Sequence, residues 1–188
     1  TRHFQRPLPP LDRGMLFLMA APLDRYQGII EYAEAAKAMR LKARRSRFFL
    51  ASLPGECGSP IPPSELKRYR EFVQYIGPVD DAASLIARCH VVVAPSYGNG
   101  MPRSLFQALA IGRPIITTDT RSTRDFVRQG LNGWLVPVRK VDGLTRAMTH
   151  VLHRPDLIPL MAEESRRIAL RFYDMNAVNS IVLEALGL

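Results

Sequence analysis

The chain holds 188 residues, 47% of them hydrophobic and 23% charged, a globular balance that excludes a disordered or collagen-like chain. It carries 26 basic and 17 acidic residues, net +9, and no apolar run approaches the roughly 20 residues needed to cross a bilayer. Thr1 to Arg13 is polar and Pro-rich, without the charged-then-apolar pattern of a secretory signal, so a soluble, cytoplasmic domain is expected.

Gly14 to Pro22 (GMLFLMAAP) is a continuous apolar run of strand length. A helical pattern follows from Gln27 to Arg40, with Ile29, Ile30, Ala33, Ala36 and Met39 on one face. Ser46 to Ser52 is a second strand. Leu53 to Ser64 holds four prolines and two glycines, a surface loop ending at a predicted N-cap, Ser64, before a helix over Glu65–Phe72. Val73 to Gly77 is a strand. Asp80 and Asp81 precede the helical stretch Ala82–Cys89, where their charge suits the positive helix end. His90 to Ala94 is a strand, Met101 to Ile111 a helix, Pro114 to Thr118 a strand, Ser122 to Gln129 a short helix and Gly133 to Pro137 a strand. The remainder to Leu188 reads as helices broken near Pro155. Apolar strands alternating with helices define an α/β domain, a doubly wound, Rossmann-like parallel sheet of about six strands. Such sheets bind ligands beyond the carboxyl ends of their strands.

Charge and cysteines narrow the partners. Only Lys37, Lys42, Lys67 and Lys140 are lysines, and the 22 arginines are scattered, with small clusters at Arg44/Arg45/Arg47 and Arg166/Arg167. A nucleic-acid binder concentrates its charge on one face with aromatics between, so no nucleic-acid partner is expected. Dispersed arginine suits an anionic ligand or an acidic membrane surface equally. Cys57 and Cys89 have no CxxC spacing, and His150 and His153 have no third ligand nearby, so no metal site is expected. His90, Trp134, Phe48 and Phe49 read as packing residues.

The loops carry more. No GxGxxG follows the first strand, which reads Ala20-Ala21-Pro22-Leu23, and no P-loop, GxSxG elbow or HExxH appears. The informative segment is Ala94 to Asp119, APSYGNGMPRSLFQALAIGRPIITTD. A strand ends, a loop with Gly98 and Gly100 follows, and Pro102 sits near the first helical turn. Free N–H groups around Met101, Pro102, Arg103 and Ser104 then face the strand-end crevice, a place for phosphate or sugar oxygens, and Arg103 adds a cationic partner. Gln107 leans back toward the same crevice as Asn99. The same spacing also suits a Gly-rich turn that only starts a buried helix.

This segment resembles the signature of the family 4 retaining glycosyltransferases (glycosyl transferases group 1), PSxxEGxPxxxxEAxAxGxPVxxTD. Pro95, Ser96, Gly100, Pro102, Ala108, Ala110, Gly112, Pro114, Thr118 and Asp119 hold their places. Gly130 to Pro137 is similar to the family's GxNGxLVP, and Val73 to Gly77 with Asp80-Asp81 to its VxFxGxVxD. Phe4 to Leu11 resembles the interdomain linker of the GT-B fold. The resemblance implies a linker remnant over 1–13 and a nucleotide-sugar (donor) binding domain over 14–188. It also implies an N-terminal acceptor domain outside this chain.

Four positions leave the family pattern. Its two motif glutamates, catalytic by resemblance, fall on Asn99 and Gln107; relatives use the first on the donor sugar and the second on the ribose. The arginine and lysine that grip the donor diphosphate fall near Pro22 and on Gln27, leaving Arg25 as the one base in that loop. Gln107 is isosteric with glutamate and still accepts a hydrogen bond, whereas Asn99 is shorter and uncharged. Changing both amides back to glutamate is expected to raise transfer in the full-length protein. Gly77 and Pro78 fall where the family's backbone meets the nucleobase.

The expected activity is therefore transfer of a hexose from a UDP- or GDP-sugar, with no further cofactor, in cell-surface polysaccharide synthesis such as O-antigen or capsule. Retention of configuration and peripheral membrane contact through the parent enzyme follow from the resemblance alone. The alternative expectation is a degenerate, weak or inactive domain serving as a binding or scaffolding partner.

Overall fold

The structure, a computed structural model, describes residues 6–40, 42–97 and 102–173. Six strands, β1 (Leu16–Ala21), β2 (Arg47–Ser52), β3 (Gln74–Pro78), β4 (Val91–Ala94), β5 (Ile115–Thr118) and β6 (Gly133–Val136), form one parallel sheet in the order 3-2-1-4-5-6. Seven helices connect and cover them: α1 (Ile29–Met39), α2 (Pro63–Lys67), α3 (Ala83–Ala87), α4 (Arg103–Ile111), α5 (Arg121–Arg124), α6 (Val141–His153) and α7 (Leu157–Tyr173).

β1, β4, β5 and β6 are buried almost throughout because both faces are covered, whereas the edge strand β3 is exposed along most of its length. Successive side chains point to opposite faces, so Phe17, Met19 and Ala21 enter one core while Leu18 and Ala20 enter the other. Val91 and Val93 divide from Val92 and Ala94 in the same way. The first core lies under α1 and α6, which pack on each other, and the second under α4, which packs on α7. Leu105 and Leu109 of α4 are fully buried, and truncating either to alanine removes roughly 2–5 kcal/mol.

Sequence order reverses between β1 and β4, so the turns leaving these neighbouring strands diverge to opposite faces and open a crevice at their carboxyl ends. The last strand is held against β5 by backbone approach. A Cβ on Gly133 would lie 2.0 Å from the Ile115 carbonyl oxygen, so only glycine fits there. Asn132, wholly buried, accepts from the Arg128 N–H (2.7 Å) and donates to the Phe126 carbonyl (3.0 Å), which fixes the turn into β6.

Several boundaries differ from the sequence expectation. Ser64 caps nothing: α2 starts at Pro63 with Pro62 at the N-cap, because proline needs no N–H partner at a helix start. That helix ends at Lys67 rather than Phe72. The helix expected over Ser122–Gln129 is only Arg121–Arg124, started by a capping box between Thr120 and Thr123 and ended by the turn that Asn132 holds. α4 starts at Arg103, with Pro102 as its N-cap.

The segment before β1 is fastened by two buried polar residues. His90 accepts the Leu16 N–H at Nδ1 (2.9 Å), so the neutral ring carries its proton on Nε2 and donates it to the Pro9 carbonyl (3.0 Å). Arg113, 1% exposed, donates to the carbonyls of Arg6 (3.0 Å) and Pro7 (2.9 Å) and to those of Ile86 (3.2 Å) and Ala87 (2.7 Å) at the end of α3. A guanidinium presents several N–H groups in one plane, so one side chain joins the two segments.

Candidate functional site

The β1–α1 turn is built on Asp24, 3% exposed, whose carboxylate accepts from the Tyr26 N–H (2.7 Å) and the Ser59 N–H (2.7 Å). A single 3-10 turn, Arg25–Gln27, follows and ends at Gly28 with φ 76°. A Cβ at Gly28 would lie 2.3 Å from the Pro95 carbonyl oxygen, so glycine is required by both conformation and space. That contact seats the turn against the segment leaving β4. The Tyr97 N–H donates to the Tyr26 carbonyl (2.9 Å), and Thr117 Oγ1 and Thr118 Oγ1 donate to the carbonyls of Ala94 and Ser96.

The start of α4 faces this scaffold. No side chain caps it, and the first amides, on Arg103 and Ser104, have no acceptor within the helix. In front lies a cavity of about 260 Å³ lined by Pro22, Gln27, Leu53, Asp80, Asp81 and the stretch Pro102 to Ser104 with Gln107. Ser104 and Gln107 stand one helical turn apart and share this face. Ser104 Oγ and Gln107 Oε1 are both buried without a hydrogen-bond partner among the described residues. Gln107 Nε2 is occupied, donating to Asp81 Oδ1 at 2.6 Å.

Of the residues singled out from sequence, Gln27, Pro102, Arg103, Ser104 and Gln107 come together in this one crevice. Gly77 and Pro78 end β3 and are not among its lining residues; Gly77 has φ 110° and open space where a Cβ would stand. Asn99, Gly100 and Met101 lie outside the described residues. Arg25 turns away from the crevice: both its terminal nitrogens pair with the Glu65 carboxylate, Nη1–Oε1 at 3.0 Å and Nη2 with Oε2. It lines a neighbouring hollow with Tyr97, Glu31 and Arg139.

Asp81 was legible only as charge before a helix. α3 starts at Ala83 with Ala82 at the N-cap and no side-chain cap, so the Asp81 carboxylate is free for Gln107. No local signal joins residues 26 positions apart. Tyr97 went unread for the same reason: its hydroxyl donates to Glu31 Oε1 across 66 residues at 2.6 Å. Burial and that carboxylate push the Tyr97 hydroxyl well above its ordinary value, so it remains a donor. Burial likewise pushes the Cys89 thiol up to about 12, which makes it inert packing. Among the described residues no group of three His, Cys, Asp or Glu could hold a metal ion.

The fold and crevice define a class: a Rossmann-like domain of the GT-B glycosyltransferase type, with a crevice at the strand ends. The sequence pattern of the glycosyl transferases group 1 family matches residues 15–154, and the chain belongs to that family. Among curated relatives it is 26% identical over 168 residues to the N,N'-diacetylbacillosaminyl-diphospho-undecaprenol alpha-1,3-N-acetylgalactosaminyltransferase of Campylobacter jejuni, covering 89% of this chain and 43% of that protein. It is 30% identical over 116 residues to the phosphatidyl-myo-inositol mannosyltransferase of Mycobacterium leprae, covering 60% and 31%. The chain spans less than half the length of these relatives. Anabaena HepE in complex with UDP superposes with a TM-score of 0.79 at 19% identity, over 94% of this chain and 50% of that one. The C-terminal domain of a glycosyl transferase group 1 family protein from Francisella tularensis superposes with a TM-score of 0.75 at 15% identity, over 93% and 97%.

Proposed function

We propose that this chain is the nucleotide-sugar binding part of a glycosyltransferase and that the crevice before α4 holds the nucleoside diphosphate. One observation carries the reading: Ser104 and Gln107 line the same crevice as the uncapped helix start, and their Oγ and Oε1 are buried oxygens without partners among the described residues. A buried polar atom left unpaired costs about 1–3 kcal/mol, which a hydroxyl-bearing ligand recovers. The ribose diol donates to Gln107 Oε1 and Asp81, and the diphosphate lies on the amides of Arg103 and Ser104 with the Arg103 guanidinium beside it. The base lies toward Gly77 and Pro78. HepE, a structure of the same fold, is in complex with UDP, which supports a nucleoside diphosphate here, UDP or GDP.

In the reaction so read, the bond from the sugar's anomeric carbon to the diphosphate breaks, a bond from that carbon to an acceptor hydroxyl oxygen forms with retention, and the hydroxyl proton leaves with the diphosphate. The helix start and Arg103 stabilise the charge growing on the departing diphosphate. The acceptor is supplied by an N-terminal domain beyond this chain, joined through residues 1–13. A cell-surface glycan as product, cytoplasmic location and peripheral membrane contact complete the proposal. The glycan product is supported by the relatives' names, an acetylgalactosaminyltransferase acting on an undecaprenol-linked sugar among them.

Calorimetric titration with UDP, GDP, ADP, CMP and dTDP, each with and without an attached sugar, tests the reading. Binding of one nucleotide with a Kd between about 1 μM and 1 mM, weakened by Arg103→Ala, supports it. No heat with any of them, in this chain and in the full-length protein, overturns it and favours the scaffolding role that the amides at 99 and 107 suggest.

A further inference from the structure

A second hollow, about 300 Å³, opens on the same carboxyl-end side and is lined by Arg25, Tyr26, Glu31, Ser59, Tyr97 and Arg139. Its residues come from four segments, those following β1, β2, β4 and β6, and only the tertiary fold assembles them. Glu31 stands in the first turn of α1. Its Oε1 takes the Tyr97 hydroxyl, while its Oε2 is buried with no partner among the described residues. An unpaired buried carboxylate oxygen is a costly feature for a fold to keep unless something donates to it.

The cations nearby do not answer that need. Arg25 is committed to Glu65. The Arg139 guanidinium lies 5.0 Å over the Tyr97 ring and forms no ion pair among the described residues. Arg139 also holds a left-handed backbone, φ 57°, the one non-glycine residue to do so among those described. A left-handed, non-β-branched residue whose head returns over an aromatic ring fixes a donor at the mouth of the hollow.

We propose that this hollow binds a single sugar ring, one hydroxyl donating to Glu31 Oε2 and another accepting from Arg139. The site's mixed polarity selects that chemistry. With Arg25 paired to Glu65, the Arg139 guanidinium disfavours a cationic ligand and the open Glu31 carboxylate oxygen an anionic one. An alcohol serves both neighbours, because each hydroxyl is donor and acceptor at once. The size lies at the low end of ligand pockets, about 300–1,000 Å³, which suits one ring rather than an oligosaccharide. The half-exposed Tyr26 ring, edge-on to Tyr97 at 6.4 Å between centroids, gives the ring an apolar wall. The ring's source, the donor's sugar or the acceptor's terminal sugar, rests on the glycosyltransferase reading above; the hydroxyl recognition does not.

The test uses this chain as wild type, Glu31→Ala and Arg139→Asn, asparagine being tolerant of a left-handed backbone. Probes are the methyl glycosides of glucose, galactose, mannose and N-acetylglucosamine, together with UDP, GDP, UDP-glucose and GDP-mannose. Binding is followed by saturation-transfer NMR and calorimetry, with circular dichroism to confirm folding. At least one sugar-bearing probe should bind wild type and weaken tenfold or more in Glu31→Ala and threefold or more in Arg139→Asn. UDP and GDP affinities should stay within twofold. Loss confined to the nucleotide-sugars assigns the hollow to the donor's sugar; loss with a methyl glycoside in the presence of nucleotide assigns it to the acceptor. Sugar-bearing probes that bind all three proteins alike, or that add nothing to nucleotide binding while no glycoside binds, overturn the proposal even where the nucleotide site stands. A glycoside that binds through Glu31 while no nucleotide binds overturns the crevice reading and leaves this one intact. Should Glu31→Ala not fold, Arg139→Asn, on an exposed loop, decides alone.

Discussion

Gln107 donates its Nε2 hydrogen to Asp81 Oδ1 at 2.6 Å, and this contact fixes which end of the amide faces the crevice. With the nitrogen occupied, Oε1 is left as a buried acceptor without a partner among the described residues. The crevice thus keeps a carboxylate although its helix has none: the charge sits on Asp81, one crossover away.

That geometry alters what a return to glutamate would do. Gln107→Glu sets two carboxylates against each other at hydrogen-bond distance, where like charges disfavour joint ionisation. Nucleoside diphosphate binding should weaken about tenfold in Gln107→Glu, or about 1.4 kcal/mol. Adding Asp81→Asn restores a donor–acceptor pair with the roles exchanged and should bring affinity back to within about threefold. Calorimetry on the four members of this cycle measures the coupling; additive effects would show that the two side chains act separately. A glutamate at position 99 should therefore be tested together with this exchanged pair.

Arg103 is the cation closest in sequence to the open amides of α4 and lines the crevice. Charge-assisted hydrogen bonds to phosphate contribute about 1.5–3 kcal/mol, and this side chain's exposure places it at the lower end. Arg103→Ala should cost about tenfold in diphosphate affinity and leave the unfolding midpoint in urea unchanged. Arg103→Lys should recover only part of the loss, since an ammonium cannot bind two oxygens in a planar fork.

His90 links stability to pH. Burial lowers its pKa below the ordinary 6.5, and its neutral form is needed because Nδ1 accepts from Leu16. The unfolded chain therefore binds a proton that the native chain refuses. Native stability from this group is complete above about pH 6.5 and falls as pH drops from there toward the lowered native value. Urea unfolding between pH 8 and pH 5 should show the decline, and His90→Gln should flatten it. A decline of equal slope in the variant would assign it to other groups.

Arg113 joins residues 6 and 7 to the end of α3 through one planar head. Arg113→Met keeps the apolar stem but strands these buried carbonyls, and unfolding free energy should fall by about 3 kcal/mol. Limited proteolysis should then cut first within residues 6–10, before the core opens. A uniform loss of protection across the chain would instead show that Arg113 supports the whole sheet.

The sequence alone determined the sheet and its order of elements, because buried parallel strands must be apolar on both faces and so stand out as short unbroken runs, from Leu16–Ala21 to Gly133–Val136. It also determined one wall of the crevice, since Pro102, Arg103, Ser104 and Gln107 are neighbours along one chain segment and helical spacing places them together. It misplaced helix ends at Ser64, Phe72 and Gln129, where local caps and turns, such as the one held by Asn132, compete with continued helix. Only the tertiary structure paired Asp81 with Gln107, turned Arg25 onto Glu65, set Glu31 under Tyr97 and drove Arg113 and His90 inward onto residues 6–9. Each of these contacts joins groups far apart in the sequence that the packed fold brings together. A polar side chain carries no periodic signal of its own, so its partner is decided by where the packed strands and helices leave it rather than by the residues beside it.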